Sequence, residues 1–195
     1  MKASLEFQSE YWTYKSKLIP SFVFEPLLNI MIDYCKTGVN GKRFSSVFSD
    51  IHQTKNANNF IYGKVPIYNW ENAPTILHEI CKIIENYTQE NYDYVLVHIY
   101  PSGDAGINWH NDTEAMNSSI ASVSLGATRK FRLKKIGRKS GWDQEFYLND
   151  GDLIWMHGPD SKTGRLSCQQ IYYHTVPVEK KIKNPRINLT FRQYQ

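Results

Sequence analysis

From Tyr92 onward this chain is a succession of short β-rich runs, and that succession narrows the folds open to it. Tyr94 to Tyr100, Ser119 to Leu125, Arg129 to Lys135, Glu145 to Leu148, Asp152 to Met156, Gln170 to Val176 and Arg186 to Arg192 are rich in β-branched and aromatic residues. Turn-forming clusters such as Pro101-Ser102-Gly103-Asp104 and Asn149-Asp150-Gly151-Asp152 separate them. Strands of this length and punctuation close into a sandwich or a barrel, of which a jelly roll is one form. Ahead of them, Pro26 to Lys36 carries Leu27, Leu28, Ile30, Met31 and Tyr34 at helical spacing. Pro74 to Glu85 repeats the pattern with Ile76, Leu77, Ile80, Ile83 and Ile84, and Pro74 suits a first-turn position. Both helices are expected to support a sheet, and 195 residues suffice for one domain with its own core.

Within the β-rich half, Asn108-Trp109-His110-Asn111-Asp112 carries a histidine and an aspartate two residues apart. In extended backbone alternate side chains share a face, so His110 and Asp112 can meet one metal ion. Two imidazoles and one carboxylate on one face, with the opposite positions open, is the ligand set of non-haem Fe(II) oxygenases. A third ligand must then come from elsewhere in the chain. With 6 His and 19 acidic residues, the pair alone is weak as a signal, because so short a motif arises by chance.

The last strand supplies a second one. Arg186, Asn188, Thr190 and Arg192 alternate with Ile187, Leu189 and Phe191, the period-two pattern of a strand with unlike faces. An ordinary surface strand has that pattern too. Two arginines six apart on one face, however, are forked donors suited to the two ends of a dicarboxylate.

These residues resemble the AlkB-type Fe(II)/2-oxoglutarate-dependent dioxygenases, which remove alkyl groups from nucleic-acid bases. The family's His-x-Asp, distant His and Arg-x5-Arg fall on His110, Asp112, His174, Arg186 and Arg192. Ile120-Ala121-Ser122-Val123-Ser124-Leu125-Gly126-Ala127, Arg129-Lys130-Phe131 and Pro185 to Arg192 are similar to stretches of the branch that repairs duplex DNA. The resemblance is strongest over residues 91–195. It implies an α+β, mainly β chain: a double-stranded β-helix (jelly roll) with supporting N-terminal helices, in one domain over 1–195. Residues 1–90 would be helices and a nucleotide-recognition lid, and 91–195 the catalytic core. It further implies Fe(II) held by His110, Asp112 and His174, with 2-oxoglutarate as co-substrate and O2 as oxidant. Tyr100 and Arg186 would meet the distal carboxylate of 2-oxoglutarate, Arg192 would lie near its C1 carboxylate, and Asn188 would make a further contact. Where the family has asparagine two residues before the strand tyrosine, this chain has His98, which is either a substitute contact or a buried structural histidine.

The implied reaction couples decarboxylation of 2-oxoglutarate to succinate with hydroxylation of an N-methyl carbon, which collapses to formaldehyde and the repaired base. Glu114, two residues past Asp112, faces the same cavity if the backbone stays extended, and would favour a cationic base such as 1-methyladenine or 3-methylcytosine. Otherwise it is a solvated loop residue. Val47-Phe48-Ser49 falls where duplex-repairing members carry an apolar wedge, and Tyr68 and Trp70 where they carry stacking aromatics. Core packing is the competing role for Phe48 and Trp70. The basic run from Arg129 and Lys130 to Lys139 is either a phosphate-contacting stripe or a charged edge that discourages aggregation.

A net charge of +4 is compatible with a polyanionic partner without requiring one. Three scattered cysteines, 35, 81 and 168, argue against a disulfide framework or a zinc site. The first residues lack the apolar run of a secretory signal, and no segment reaches the length of a membrane span. The expectation is an intracellular, nuclear or cytoplasmic monomer without membrane contact, acting on nucleic acid, most simply DNA. His157 is read as part of a long loop, 157–169, whose role the sequence leaves open, and His52 and His78 as surface or core residues. RNA is the nearest rival substrate. A protein or metabolite oxygenase would keep the five core residues without needing Glu114, Phe48 or the basic run, and a metal-free binding module would need none of them.

Overall fold

A computed structural model of the protein describes residues 4–37, 42–50 and 65–195, and these form the architecture. In chain order the elements are β1 (Glu6–Gln8), β2 (Trp12–Lys15), α1 (Phe24–Tyr34), β3 (Lys36–Thr37), β4 (Phe44–Ser49), β5 (Ile67–Asn69) and α2 (Thr75–Thr88). There follow β6 (Tyr94–Tyr100), β7 (Ile107–His110), β8 (Ile120–Gly126), β9 (Arg129–Lys135), β10 (Gln144–Leu148) and β11 (Asp152–Met156). The single turn α3 (Cys168–Ile171), β12 (Tyr172–Val176) and β13 (Arg186–Arg192) complete the chain.

Nine strands form a large sheet in the order β1-β2-β11-β8-β13-β6-β4-β3, with β5 added parallel to β4. Four form a small one, β10-β9-β12-β7. Strands distant along the chain are paired in the sheets: β13 sits between β8 and β6, and β12 between β9 and β7. That crossed order in two facing antiparallel sheets is the jelly roll expected from the sequence. The expected α+β class holds too, but residues 1–90 are not only helical. They supply β1 to β5 to the large sheet, short strands whose few residues give a weak periodic signal.

Each face of the large sheet has its own core. Ile187, Leu189 and Phe191 of β13, Val95, Val97 and Ile99 of β6, and Val123 and Leu125 of β8 pack with Leu27 and Met31 of α1 and Leu77, Ile80 and Ile84 of α2. Helix α2 starts at Thr75 with Pro74 as its N-cap, one place before the first turn where the sequence reading put that proline, and ends where Gln89 turns left-handed at φ 58°. Between the sheets, Trp12, Tyr14, Ile120, Phe131, Leu133, Ile154 and Met156 fill the β2-β11 end. At the β8-β13-β6-β4 end the same interior is polar: Ser122, Ser124, Arg186, Asn188, Arg192, His98 and Ser45 are all buried. The strand of mixed polarity thus turns its polar face inward, where a surface strand would turn it outward.

Two substrate assignments conflict with the burial of their side chains. Phe48 is fully buried in β4, its ring 5.4 Å from Tyr68 and 5.3 Å from Tyr34, so it is a core residue and no wedge. In β9 it is Lys130, Arg132 and Lys134 that face out, while Arg129 shares the inward parity of Phe131 and Leu133. Its guanidinium gives four of its five N–H groups to the carbonyls of Ser102, Ala105 and Pro177 and to Glu179, and at 1% exposure Arg129 is closed off from a phosphate. Cys35, Cys81 and Cys168 are buried and form no disulfide among the described residues. Among the described residues no helix is long and apolar enough to cross a membrane.

Phe48→Ala is expected to cost about 3–5 kcal/mol of stability, the scale for emptying a buried aromatic site. Urea unfolding checks it; a loss under about 0.5 kcal/mol is what an exposed side chain would give.

Candidate active site

His110 ends β7 and His174 lies in β12, and the two are register partners across the small sheet. Their rings are 4.2 Å apart between centres. Asp112 follows β7 in extended backbone, φ −90° and ψ 92°, and keeps the parity of His110. Its carboxylate lies 3.5 Å from His110 Nε2 and 3.7 Å from His174 Nε2. One ligand atom from each residue falls within 4.8 Å of the others, a spacing that lets the three converge on a single ion.

Protonation suits that use. His110 Nδ1 lies 2.8 Å from the Asn108 carbonyl, which can only accept, so Nδ1 carries the hydrogen and Nε2 presents its lone pair. Burial pushes His174 down to about 3, keeping it neutral with a free lone pair. Burial would lower His110 as well, but the Asp112 carboxylate outweighs it and raises the imidazole. For Asp112 burial works upward, and the Arg192 guanidinium with the two histidines more than reverses it, holding the carboxyl well below its usual range. An ionised oxygen donor between two imidazole nitrogens is a donor set that fits Fe(II).

Arg192 donates to Asp112 Oδ2 at 2.8 Å through Nη2 and to Glu114 Oε1 through Nη1. Glu114 reaches it from a 3-10 turn, Thr113–Ala115, so the backbone is not extended there as the sequence reading supposed. The turn nevertheless brings the carboxylate to the site's edge, paired inside the chain.

Strand pairing arranges the other interior residues in rows. Tyr100, Arg186 and Gly126 are in register on β6, β13 and β8; the next row holds Ser45, His98, Asn188 and Ser124. Arg186 Nη2 donates to Ser124 Oγ at 2.8 Å, whereas its Nε and Nη1 and the Tyr100 hydroxyl are buried without a partner. Buried donors are seldom left so, and the gap fits an incoming carboxylate. Arg186, almost fully enclosed, is pushed down by burial to about 10 and stays cationic at neutral pH. Asn188 uses both amide hydrogens on Ser122 Oγ and the Val123 carbonyl, clamping β13 to β8. His98 sits 2.6 Å from Ser45 Oγ, and burial, followed by the charges of Arg43, Arg192 and Arg186, holds it neutral.

Tyr68 stacks on Phe48 and donates to the Tyr34 carbonyl, and Trp70 packs 4.4 Å from the ring of His78. Both are half-buried on the helical side of the molecule, packed against its core, so the structure gives them a supporting role. Lys130 faces out over the Tyr147 ring with its amide bonded to Glu179. His157 is held by Thr13 Oγ1 and the Glu10 carbonyl, away from the metal ligands, as expected; His52 lies outside the described residues.

Sequence reasoning missed Gln169. It is 1% exposed, accepts the Asp112 amide on Oε1 at 2.9 Å, and offers its own carbonyl to Asn111 Nδ2 at 3.2 Å. Two residues earlier Ser167 caps α3 and donates to the Met116 carbonyl. The long loop therefore buttresses the ligand-bearing segment on both sides of Glu114. Only the Ser167-x-x-Gln170 capping box was readable locally; the pairing with Asp112 spans 57 residues.

The sequence pattern of the 2OG-Fe(II) oxygenase superfamily matches residues 33–192. Human DNA oxidative demethylase ALKBH2 is 35% identical over 127 residues, which are 60% of this chain and 46% of that protein. The alpha-ketoglutarate-dependent dioxygenase alkB homolog 3 of Bos taurus is 31% identical over 129 residues, 59% and 42% of the two chains. The chain thus matches less than half the length of these relatives. The solved structure of OsALKBH1 superposes with a TM-score of 0.67 at 14% identity, covering 97% of this chain and all of that one, which bears on the fold alone.

Asp112→Asn is expected to abolish stoichiometric Mn(II) binding in calorimetry. Gln169→Leu should weaken it about 10- to 100-fold, the usual cost of losing a group that orients a ligand; wild-type affinity in that variant would leave Gln169 as packing only. With ligand set, arginine pair and jelly roll agreeing with the matched pattern, the chain belongs to the 2OG-Fe(II) oxygenase superfamily, whose chemistry uses Fe(II), 2-oxoglutarate and O2, and the relatives it resembles there are AlkB homologues.

Proposed function

We propose that this chain, as a single domain, is a nucleic-acid dealkylase that oxidatively removes the methyl group of 1-methyladenine and 3-methylcytosine in DNA. The observation that carries the reading is the arrangement around Arg192, whose one guanidinium ties the metal-binding carboxylate of Asp112 to Glu114. In balance, an N-methyl base, 2-oxoglutarate and O2 give the N–H base, formaldehyde, succinate and CO2. Bound Fe(II) supplies the activation of O2; the protein's part is to hold, orient and shield.

His110, Asp112 and His174 would hold the metal on one face and leave the opposite face to ligands. Arg186 and Tyr100 would take the distal carboxylate of 2-oxoglutarate with the donors they now leave unused. Arg192 keeps Asp112 ionised and fixes its oxygen direction, and so is read as a positioning residue for the metal as well as a neighbour of the co-substrate. Glu114, 15% exposed at its side chain, is poised at the rim, where its negative charge favours a cationic methylated base over a neutral one. Lys130, one of the outward-facing cations of β9, is the assigned residue left for a phosphate contact, in place of Arg129.

Single-stranded substrate, DNA or RNA, is the second reading. The burial of Phe48 favours it, because among the assigned residues none is left as a wedge, and a single strand needs none.

The purified chain with Fe(II), ascorbate and 2-oxoglutarate, given matched single- and double-stranded DNA and RNA bearing either lesion, is expected to release formaldehyde and succinate in equal amounts, fastest on DNA. Succinate without loss of methyl mass on any nucleic acid would reject the substrate class. Glu114→Gln should lower the ratio of kcat/KM for 3-methylcytosine to that for the neutral 3-methylthymine about tenfold, on the scale of one partly screened charge interaction. An unchanged ratio would return Glu114 to a purely structural pairing with Arg192.

A further inference from the structure

The row that holds Tyr100 and Arg186 has a third member. Strand β4 pairs with β6 from Phe44 opposite Ile99 and Ser45 opposite His98, so Arg43, one residue earlier, flanks Tyr100 on the side away from Arg186. Its guanidinium carbon lies 5.9 Å from the centre of the Tyr100 ring, and that of Arg186 lies 5.0 Å from the same point. We propose that Arg43 and Arg186 together form the seat for the distal carboxylate of the keto-acid co-substrate, so that this chain recognises a dicarboxylate with two guanidiniums and not one. The inference rests on the proposed use of 2-oxoglutarate at this site and adds a residue to it.

Hydrogen-bond accounting supports it. Arg43 Nε is buried and makes no hydrogen bond, and the same holds for Nε and Nη1 of Arg186 and for the hydroxyl of Tyr100. No carboxylate among the described residues comes within 4.0 Å of either arginine. A third guanidinium near the ring, Arg129 at 5.7 Å, is by contrast satisfied by Glu179 and three carbonyls. Uncompensated positive charge is therefore concentrated on Arg43 and Arg186. Two like charges held about one ring, that of Arg186 buried and that of Arg43 partly so, repel, and an anion between them turns that repulsion into attraction. The neighbouring His98, kept neutral, adds no further positive charge to the seat.

The test is calorimetric titration of the Mn(II)-loaded full chain with 2-oxoglutarate and with 2-oxopentanoate, an acid of equal carbon number lacking the distal carboxylate. Arg43→Met is expected to weaken 2-oxoglutarate binding about tenfold or more and leave 2-oxopentanoate unchanged, with Arg43→Lys restoring part of the loss. Should Arg43→Met not fold, as its melting curve would show, Arg43→Gln carries the same comparison. Wild-type affinity for 2-oxoglutarate in the variant, or equal weakening of both acids, overturns the assignment while leaving the co-substrate reading intact. A wild-type chain that binds no 2-oxoglutarate overturns the co-substrate reading itself, and this inference with it.

Discussion

Everything in the interior of this molecule is organised by the burial of guanidinium inside a β-sandwich. An isolated charge in such a place costs several kcal/mol even after relaxation, and removing one partner of a buried pair typically costs about 3–5 kcal/mol. Arg192 meets the cost with Asp112 and Glu114, and Arg129 with Glu179 and backbone carbonyls. Because Arg192 and Asp112 hold each other, the carboxylate stands ionised between two neutral-capable imidazoles before any metal arrives. Pre-set charge and direction are what a small ligand-binding centre needs from its protein.

The division of the interior follows from the same requirement. A sandwich filled throughout with apolar side chains would be stable and inert. Here the β2-β11 end is filled in that manner, while the β6-β13 end keeps serines, an asparagine and a histidine that satisfy one another across strands. Apolar burial is concentrated in the first region and on the helix-covered outer face, and the polar region leaves donors open. Stability and binding are assigned to different parts of one sheet.

How much of this was legible beforehand depended on whether a pattern was local. The alternation from Arg186 to Arg192 announced a two-faced strand, and His110-x-Asp112 announced a shared face; both are short-range facts of backbone geometry. Many short strands with turns between them narrowed the fold to a sandwich or barrel, and the family resemblance pointed within these to the jelly roll. Phe48 was not legible, because both faces of β4 are buried and alternation then carries no direction. Arg129 misleads because it opens a run of cations, although its parity is that of Phe131. Gln169 and Arg43 were invisible for a different reason: each acquires its meaning from a strand or loop distant in sequence, and no spacing rule reaches that far.

The pairing of His110 with His174 across β7 and β12 carries one more implication, because the register is irregular between His174 and Val176. A strand that slips by a single residue presents its opposite side chains, so a chain paired out of step would turn one imidazole to solvent. A metal held by both imidazoles would therefore be available only to the chain paired in the native register.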